Sequence, residues 1–247
     1  MDLSFWARTS GTWINALTVL AGTALGLGLR GRLPVRMQAI IMQGVGLTTL
    51  FLGFTIAASL NKAKAGHVDG VVLGLLTIVI GGLLGEWWGL EERLEGLGEV
   101  IKRRVRGGGR FTEGFVAASL LFCVGPLTLL GSLTNGLTGD NGLLVIKATL
   151  DGLAAIALAG SFGIGVGFSI GIILLYQGGV SLAAAALTTV IPDLNTDPRV
   201  LLVTGIGGLM ILGLGINLLE LRRIRVASFL PALALAPLAY WLATLFT

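Results

Sequence analysis

The chain has 247 residues, of which 54% are hydrophobic and only 12% are charged. Soluble domains carry about a quarter charged residues, so this composition excludes an ordinary soluble domain and indicates a membrane protein. The net charge of +4 does not indicate a nucleic-acid partner, because the basic residues lie in short segments beside apolar runs.

Apolar runs recur along the whole chain, and a membrane span needs about 20 mostly apolar residues. They predict an all-α, polytopic bundle of about eight transmembrane helices, with seven as the alternative if one segment is re-entrant. The predicted spans are 12–29, 38–60, 70–90, 111–135, 142–161, 163–190, 200–219 and 226–246.

Because only short segments separate these spans, residues 1–247 are predicted to form one integral membrane domain. Gln43-Gly44 and Gln177-Gly178 are separated by the same number of residues as Glu86 and Glu220. This equal offset suggests two parallel repeats, 11–135 and 142–246, as in many transporters. The alternative is a chance match in a glycine-rich chain.

Lys and Arg concentrate in alternate loops, near residues 30–36, 93–110 and 222–225. Since basic residues are retained in cytoplasmic loops, both termini are predicted to face outward. Residues 91–110 carry an apolar helical stripe, an acidic first half and a basic second half. The basic end, with Lys102, Arg103, Arg104 and Arg106, is a candidate site for anionic lipid headgroups. The alternative is a solvated loop that obeys the positive-inside rule.

Between residues 143 and 191 the chain carries only two charges, Lys147 and Asp151, one helical turn apart. A charge at the centre of a membrane helix costs about 2.5–3.5 kcal/mol on insertion scales, so this pair is functional or tightly paired. Lys before Asp is the less favourable order for a local pair, which favours a partner elsewhere. Lys147 lies about 6 Å into the span and can snorkel to the interface, whereas Asp151, about 12 Å in, cannot. Asp151 is therefore the leading candidate for a cation or proton site, and a structural ion pair is the alternative.

Other polar groups at membrane depth are candidates for the same site. The amides Asn15, Gln177 and Asn217 either cross-link helices or, if they converge on Asp151, line a polar site. Pro126 interrupts the fourth span, and the backbone carbonyls that it frees can coordinate a cation. A packing kink is equally compatible with this proline.

The sequence offers no catalytic constellation. Cys123 and His67 lie in different segments, so a metal site built from them, or a Cys–His nucleophile pair, is not expected. No metal, cofactor or enzymatic activity is predicted. The glycines 163, 167 and 171 form a small-residue stripe that favours close helix packing or a homodimer seam.

These segments resemble a bacterial inner-membrane family of unknown function that contains the YqgA- and YdfK-type proteins. The resemblance covers nearly the whole chain. It is carried by Gly11-Thr-Trp-Ile-Asn15, Ala118-Ser-Leu-Leu-Phe-Cys-Val-Gly-Pro126, Lys147-Ala-Thr-Leu-Asp-Gly152, Tyr176-Gln-Gly178, Gly207-Gly208 and Leu230-Pro-Ala232.

The resemblance implies a multi-pass protein of the bacterial inner membrane, and it implies no particular reaction. Family members often carry an acidic residue shortly before the paired glycines of the seventh span. The corresponding run here, Val200–Thr204, has none.

Buried charge, a broken helix and repeats together favour a small secondary transporter or ion-conducting protein. Asp151 would bind the cation or cationic substrate, and Lys147 would compete with it as counter-ion. The alternative is a non-transporting scaffold, sensor or regulatory protein that works through its basic cytoplasmic segments.

Overall fold

The computed structural model describes residues 3–30, 34–123, 126–188 and 196–245. Over these ranges the chain forms ten α-helices, two 3-10 turns (Ala58–Asn61 and Val226–Phe229) and one short hairpin, with β1 at Lys64–Ala65 and β2 at Val68–Asp69. The helices are α1 Phe5–Leu29, α2 Val35–Ala57, α3 Gly70–Trp87, α4 Leu90–Arg104, α5 Phe111–Cys123, α6 Pro126–Thr138, α7 Gly142–Phe162, α8 Gly165–Thr188, α9 Pro198–Leu218 and α10 Leu230–Leu245. The predicted all-α class is confirmed.

Seven helical segments of the described chain are long and apolar enough to cross a membrane, and the bent pair α5–α6 makes an eighth if it counts as one span. The predicted polytopic bundle is thus confirmed. The predicted turn between the fifth and sixth spans lies between α7 and α8, where Gly163 adopts a φ of 90°. This left-handed conformation favours glycine and ends α7.

The fourth span is broken at the predicted place. Helix α5 ends at Cys123, α6 begins at Pro126, and the axes of the two helices differ by 69°. Proline is tolerated at the first position of a helix because its missing N–H has no intrahelical partner there. The Thr128 hydroxyl donates to the Phe122 carbonyl at 3.3 Å, so a side chain satisfies one carbonyl near the break.

The amphipathic segment predicted at 91–110 forms a helix, α4, that ends at Arg104. Arg106 takes a left-handed conformation with a φ of 53°, and the Gly107 N–H donates to the Lys102 carbonyl at 2.8 Å. This pattern is the Schellman cap that ends many helices. Arg106 therefore lies beyond the helix that the sequence assigns it to.

The chain divides into two compact units. Unit 1 comprises Met1–Val45 and Glu95–Val190, and unit 2 comprises Gly46–Leu94 and Ile191–Thr247. Unit 1 thus contains α1, α5, α6, α7 and α8, and unit 2 contains α3, α9 and α10. The single membrane domain and the repeats 11–135 and 142–246 stay predictions.

In unit 1, α1 and α7 pack together along small residues. A Cβ at Gly22 would lie 2.2 Å from the Gly152 carbonyl oxygen, and a Cβ at Gly26 would lie 2.3 Å from the Ile156 carbonyl oxygen. Only glycine permits this approach, which lets packing hold membrane helices together where the hydrophobic effect does not.

The predicted stripe on α8 is less uniform. A Cβ at Gly167 would lie 3.1 Å from the Thr23 methyl carbon of α1, whereas a Cβ at Gly171 would meet no described atom within 4 Å. Close packing thus applies to part of the stripe, and the homodimer stays a prediction.

Unit 2 has its own apolar core. Leu60, Leu73, Leu202, Ile206 and Ala232 are buried together where α3, α9 and α10 meet the 3-10 turn Ala58–Asn61.

We expect Gly22→Ala to destabilise the protein by about 1–3 kcal/mol, because its methyl group would overlap the Gly152 carbonyl. Gly28→Ala, on the same helix, is the matched control, since a Cβ there meets no described atom within 4 Å. Thermal melting of the detergent-solubilised proteins tests this. Equal midpoints for the two variants would contradict the close α1–α7 contact.

Candidate functional site

The two charges of the fifth predicted span, Lys147 and Asp151, pair with each other inside unit 1. The buried residues of α7 include Leu144, Lys147, Asp151 and Ala155, spaced by three or four residues, so both charges lie on the buried face of the helix. The Lys147 ammonium contacts Asp151 Oδ2, and the two side chains are only 6% and 10% exposed. The expectation that Lys147 snorkels is therefore wrong, and the pair forms despite the less favourable order of its members.

A third partner reaches this pair from α1. Asn15, fully buried, donates from Nδ2 to Asp151 Oδ2 at 3.0 Å and to Gln177 Oε1 of α8 at 3.0 Å. Gln177 in turn donates from Nε2 to Thr12 Oγ1 at 3.3 Å. Three helices thus contribute to one hydrogen-bonded chain, which we call the polar cluster: Thr12, Asn15, Lys147, Asp151 and Gln177.

The polar cluster is not saturated. Asn15 Oδ1 is buried and has no hydrogen-bond partner among the described residues. Both donors to Asp151, Asn15 and Lys147, reach the same oxygen, Oδ2. An unsatisfied buried acceptor costs about 1–3 kcal/mol. The cluster therefore presents an amide carbonyl and a carboxylate, which accept protons or coordinate hard cations.

Asn15 and Gln177 were predicted from the sequence as members of this site, and Thr12 was not. Thr12 precedes Asn15 by three residues on α1, so the two share a helix face. That spacing is the signal that would have identified it.

A second buried amide, Asn135 of α6, holds the adjoining turn of α1. Its Oδ1 accepts from the Gly11 N–H at 3.1 Å, and its Nδ2 donates to the carbonyl oxygens of Ala7 at 3.0 Å and Gly139 at 3.2 Å. Asn135 is completely buried. It therefore positions the turn of α1 that precedes Asn15, a role that the sequence analysis did not assign.

Two other predicted site residues have different surroundings. Asn217, in unit 2, donates to the Ile224 carbonyl at 2.7 Å and accepts from the Ile224 N–H at 2.7 Å. Its amide closes the loop after α9, and both its donor and its acceptor have a partner outside the polar cluster. Pro126 begins α6, and the adjacent residues 124 and 125 lie outside the described part of the chain.

The predicted lipid-binding residues lie at the end of α4. Lys102 donates to Glu99 Oε1 at 3.2 Å, and the Thr112 hydroxyl donates to the same oxygen at 2.5 Å. The hydrogen bond from Thr112, followed by that from Lys102, holds the pKa of Glu99 below its usual range. Arg103, Arg104 and Arg106 are exposed, so Lys102 is the member of the predicted group that is tied into the protein.

Glu86, which the sequence places at a span end, is ion-paired in unit 2. Arg225 lies 2.6 Å from Glu86 Oε1 and also contacts Glu92. The Ser228 hydroxyl donates to Glu86 Oε2 at 3.2 Å, and Glu91 accepts from the Ala227 N–H at 2.8 Å. Arg225 and the 3-10 turn after it are thereby fixed to α3 and to the start of α4.

No group of three or more His, Cys, Asp or Glu side chains suited to a metal ion occurs in the described ranges. Cys123 is a buried free thiol. The polar cluster is therefore the candidate site that the geometry supports.

Comparison with known proteins places the chain in a family. A family model described as "Protein of unknown function (DUF554)" matches residues 10–241. The chain belongs to this family.

Two relatives cover almost its whole length. The "Uncharacterized membrane protein YdfK" of Bacillus subtilis is 31% identical over 228 residues, which is 92% of this chain and 93% of the relative. The "Uncharacterized protein YqgA" of Escherichia coli is 31% identical over 233 residues, which is 92% of this chain and 94% of the relative. The resemblance drawn from the sequence is confirmed, and no solved structure matches the chain.

We expect Lys147→Met to destabilise the protein by about 3–5 kcal/mol, because it leaves the Asp151 carboxylate buried and unpaired. The double variant Lys147→Met/Asp151→Asn removes both charges and should melt at a higher temperature than Lys147→Met alone. Thermal midpoints of the wild type, both single variants and the double variant give the coupling energy. Strictly additive effects would contradict the ion pair.

Proposed function

We propose that this chain is a small secondary transporter or ion-conducting protein of the bacterial cytoplasmic membrane, with the polar cluster as its binding site. The observation that carries the proposal is the unsaturated cluster itself: a Lys147–Asp151 pair inside a membrane bundle, beside an Asn15 carbonyl oxygen to which no described residue donates. Ionisable residues inside membrane proteins commonly mark substrate or ion pathways.

In this proposal Asp151 binds a cation, a proton or a cationic group of the substrate. Asn15 Oδ1 supplies a second oxygen, since it lies on the amide that already donates to Asp151. Lys147 competes for the same carboxylate, so an incoming cation replaces an existing interaction and binds only weakly. Weak binding suits transport, because a conducted ion must also leave its site.

The broken helix gives separate support. Discontinuous helices are common at the binding sites of secondary transporters, where helix ends and freed backbone groups face the substrate. The break between α5 and α6 lies in the same unit as the polar cluster, and both half-helices pack against α8, which carries Gln177. Pro126 is included in the proposed site because it begins α6 at this break.

The proposal predicts a ligand that stabilises the folded protein and depends on Asp151. Thermal midpoints of the detergent-purified chain would be measured with alkali cations, ammonium, polyamines, amino acids and organic acids. A ligand at a hundredfold excess over its dissociation constant stabilises by about 2.7 kcal/mol. We expect a cationic ligand to raise the midpoint of the wild type and not that of Asp151→Asn.

Asp69→Asn is the matched control, because it makes the same chemical change at an exposed residue and should keep the full shift. If no cation acts on the wild type, or if Asp151→Asn responds like the wild type, the proposal fails. A phenotype that survives Asp151→Asn but is lost on reversing the α4 arginines would instead support a scaffold, sensor or regulatory protein.

The proposed orientation, with both termini outside, is tested by cysteine labelling. The only native cysteine, Cys123, is buried, so it gives little background. We expect a membrane-impermeant maleimide to label Lys62→Cys in intact cells and to label Arg104→Cys only after the cells are opened. The reverse pattern would invert the orientation.

A further inference from the structure

The charges of α4 are segregated around the helix as well as along it. Glu91, Glu95 and Glu99 recur every four residues and form one stripe. Gly98 lies on the side that faces the protein, since a Cβ there would lie 3.0 Å from both Phe115 and Thr112 side-chain atoms. Glu91 accepts from a backbone N–H, and Glu99 accepts from Lys102 and Thr112. Residues of the acidic stripe thus accept hydrogen bonds from other parts of the protein.

The opposite side of α4 combines apolar and basic residues. Arg93, Leu97, Val100 and Arg104 are spaced by four, three and four residues, so they form one stripe, whereas Arg103 follows Glu99 by four residues and lies at the border with the acidic stripe. Leu97 and Val100 are 44% and 63% exposed, and Arg93 and Arg104 are also exposed. We call Arg93, Leu97, Val100 and Arg104 the outward face of α4.

The basic charge of the outward face is not neutralised locally. Within the described chain, Arg93 and Arg104 form no ion pair, whereas Lys102 and Arg225 are both paired. A helix face with exposed apolar residues flanked by arginines suits the boundary between headgroups and acyl chains.

The neighbouring segments place α4 at that boundary. The spanning helix α3 ends at Trp87, and α4 begins at Leu90. Trp87 and Trp88 are 80% and 48% exposed. Exposed tryptophans at the end of a span are typical of the membrane–water interface.

We propose that the outward face of α4 binds anionic phospholipids of the membrane that contains the protein. The arginines contact the headgroup phosphate, and Leu97 and Val100 contact the upper acyl chain. This surface is independent of the polar cluster, so either proposal can fail without the other.

The test titrates dioctanoyl-phosphatidylglycerol into the detergent-solubilised full chain and follows bound lipid by native mass spectrometry. Each basic side chain near an anionic surface contributes about fivefold in affinity. We therefore expect Arg93→Gln/Arg104→Gln to bind about twenty-five-fold more weakly than the wild type. Lys62→Gln/Lys64→Gln loses the same charge at two exposed residues elsewhere and should bind like the wild type.

Two further probes separate a lipid site from a general phosphate site. Dioctanoyl-phosphatidylcholine should bind at least tenfold more weakly, and Leu97→Gln/Val100→Gln should weaken phosphatidylglycerol binding without unfolding the protein. Equal binding of the two lipids, equal loss in both charge variants, or full competition by inorganic phosphate would each overturn the proposal.

Discussion

The structure of unit 1 depends on keeping two opposite charges paired where water cannot solvate them. Lys147 and Asp151 lie on the buried face of α7, and a buried carboxylate without its partner costs several kcal/mol. Their contact makes the pair neutral overall, and the Asn15 amide supplies a further hydrogen bond to the carboxylate. That hydrogen bond requires α1 to lie against α7, which Gly22 and Gly26 permit. Asn135 then fixes the preceding turn of α1. Helix packing and charge neutralisation are therefore parts of one arrangement.

Charged residues at helix ends form exposed or half-buried ion pairs, which lie outside the apolar spans. Arg225 joins Glu86 and Glu92, and Arg199 contacts Asp197 at 2.6 Å. At Asp197, partial burial raises the pKa, but hydrogen bonds from Arg199 outweigh it and hold the pKa below its ordinary value. Stability from this group is thus present at neutral pH and is lost as the pH falls through the lowered pKa. The polar cluster differs from these pairs because its two charged side chains, Lys147 and Asp151, are buried from solvent.

Much of the architecture could be predicted from the sequence because membrane spans are set by length and apolarity, which are local properties. The predicted spans agree with the described helices within a few residues at most ends, and the break at Pro126 follows from the chemistry of proline.

The convergence of Asn15, Asp151 and Gln177 was only a conditional prediction, since residues on three helices meet through packing that no local pattern reveals. Asn135 was missed for the same reason, whereas Thr12 shares a helix face with Asn15 and could have been identified from that spacing. Asn217 was taken for a candidate because its partner in the following loop is set by loop geometry. The order of Lys147 and Asp151 did not predict their pairing, since propensities of isolated, solvated helices do not hold where the alternative is an unpaired buried charge.

If Asp151 binds a transported cation within the membrane, as we propose, then cation flux through the purified protein depends on this residue. The purified chain would be reconstituted into liposomes that contain dyes sensitive to pH and to membrane potential. Gradients of sodium, potassium, ammonium and a small organic amine would be imposed one at a time. We expect at least one gradient to relax faster with the wild type than in protein-free liposomes, and correctly folded Asp151→Asn to remove the difference. If no cation gradient relaxes faster with the wild type, or if Asp151→Asn transports as well, the polar cluster is structural and the proposed transport function is wrong.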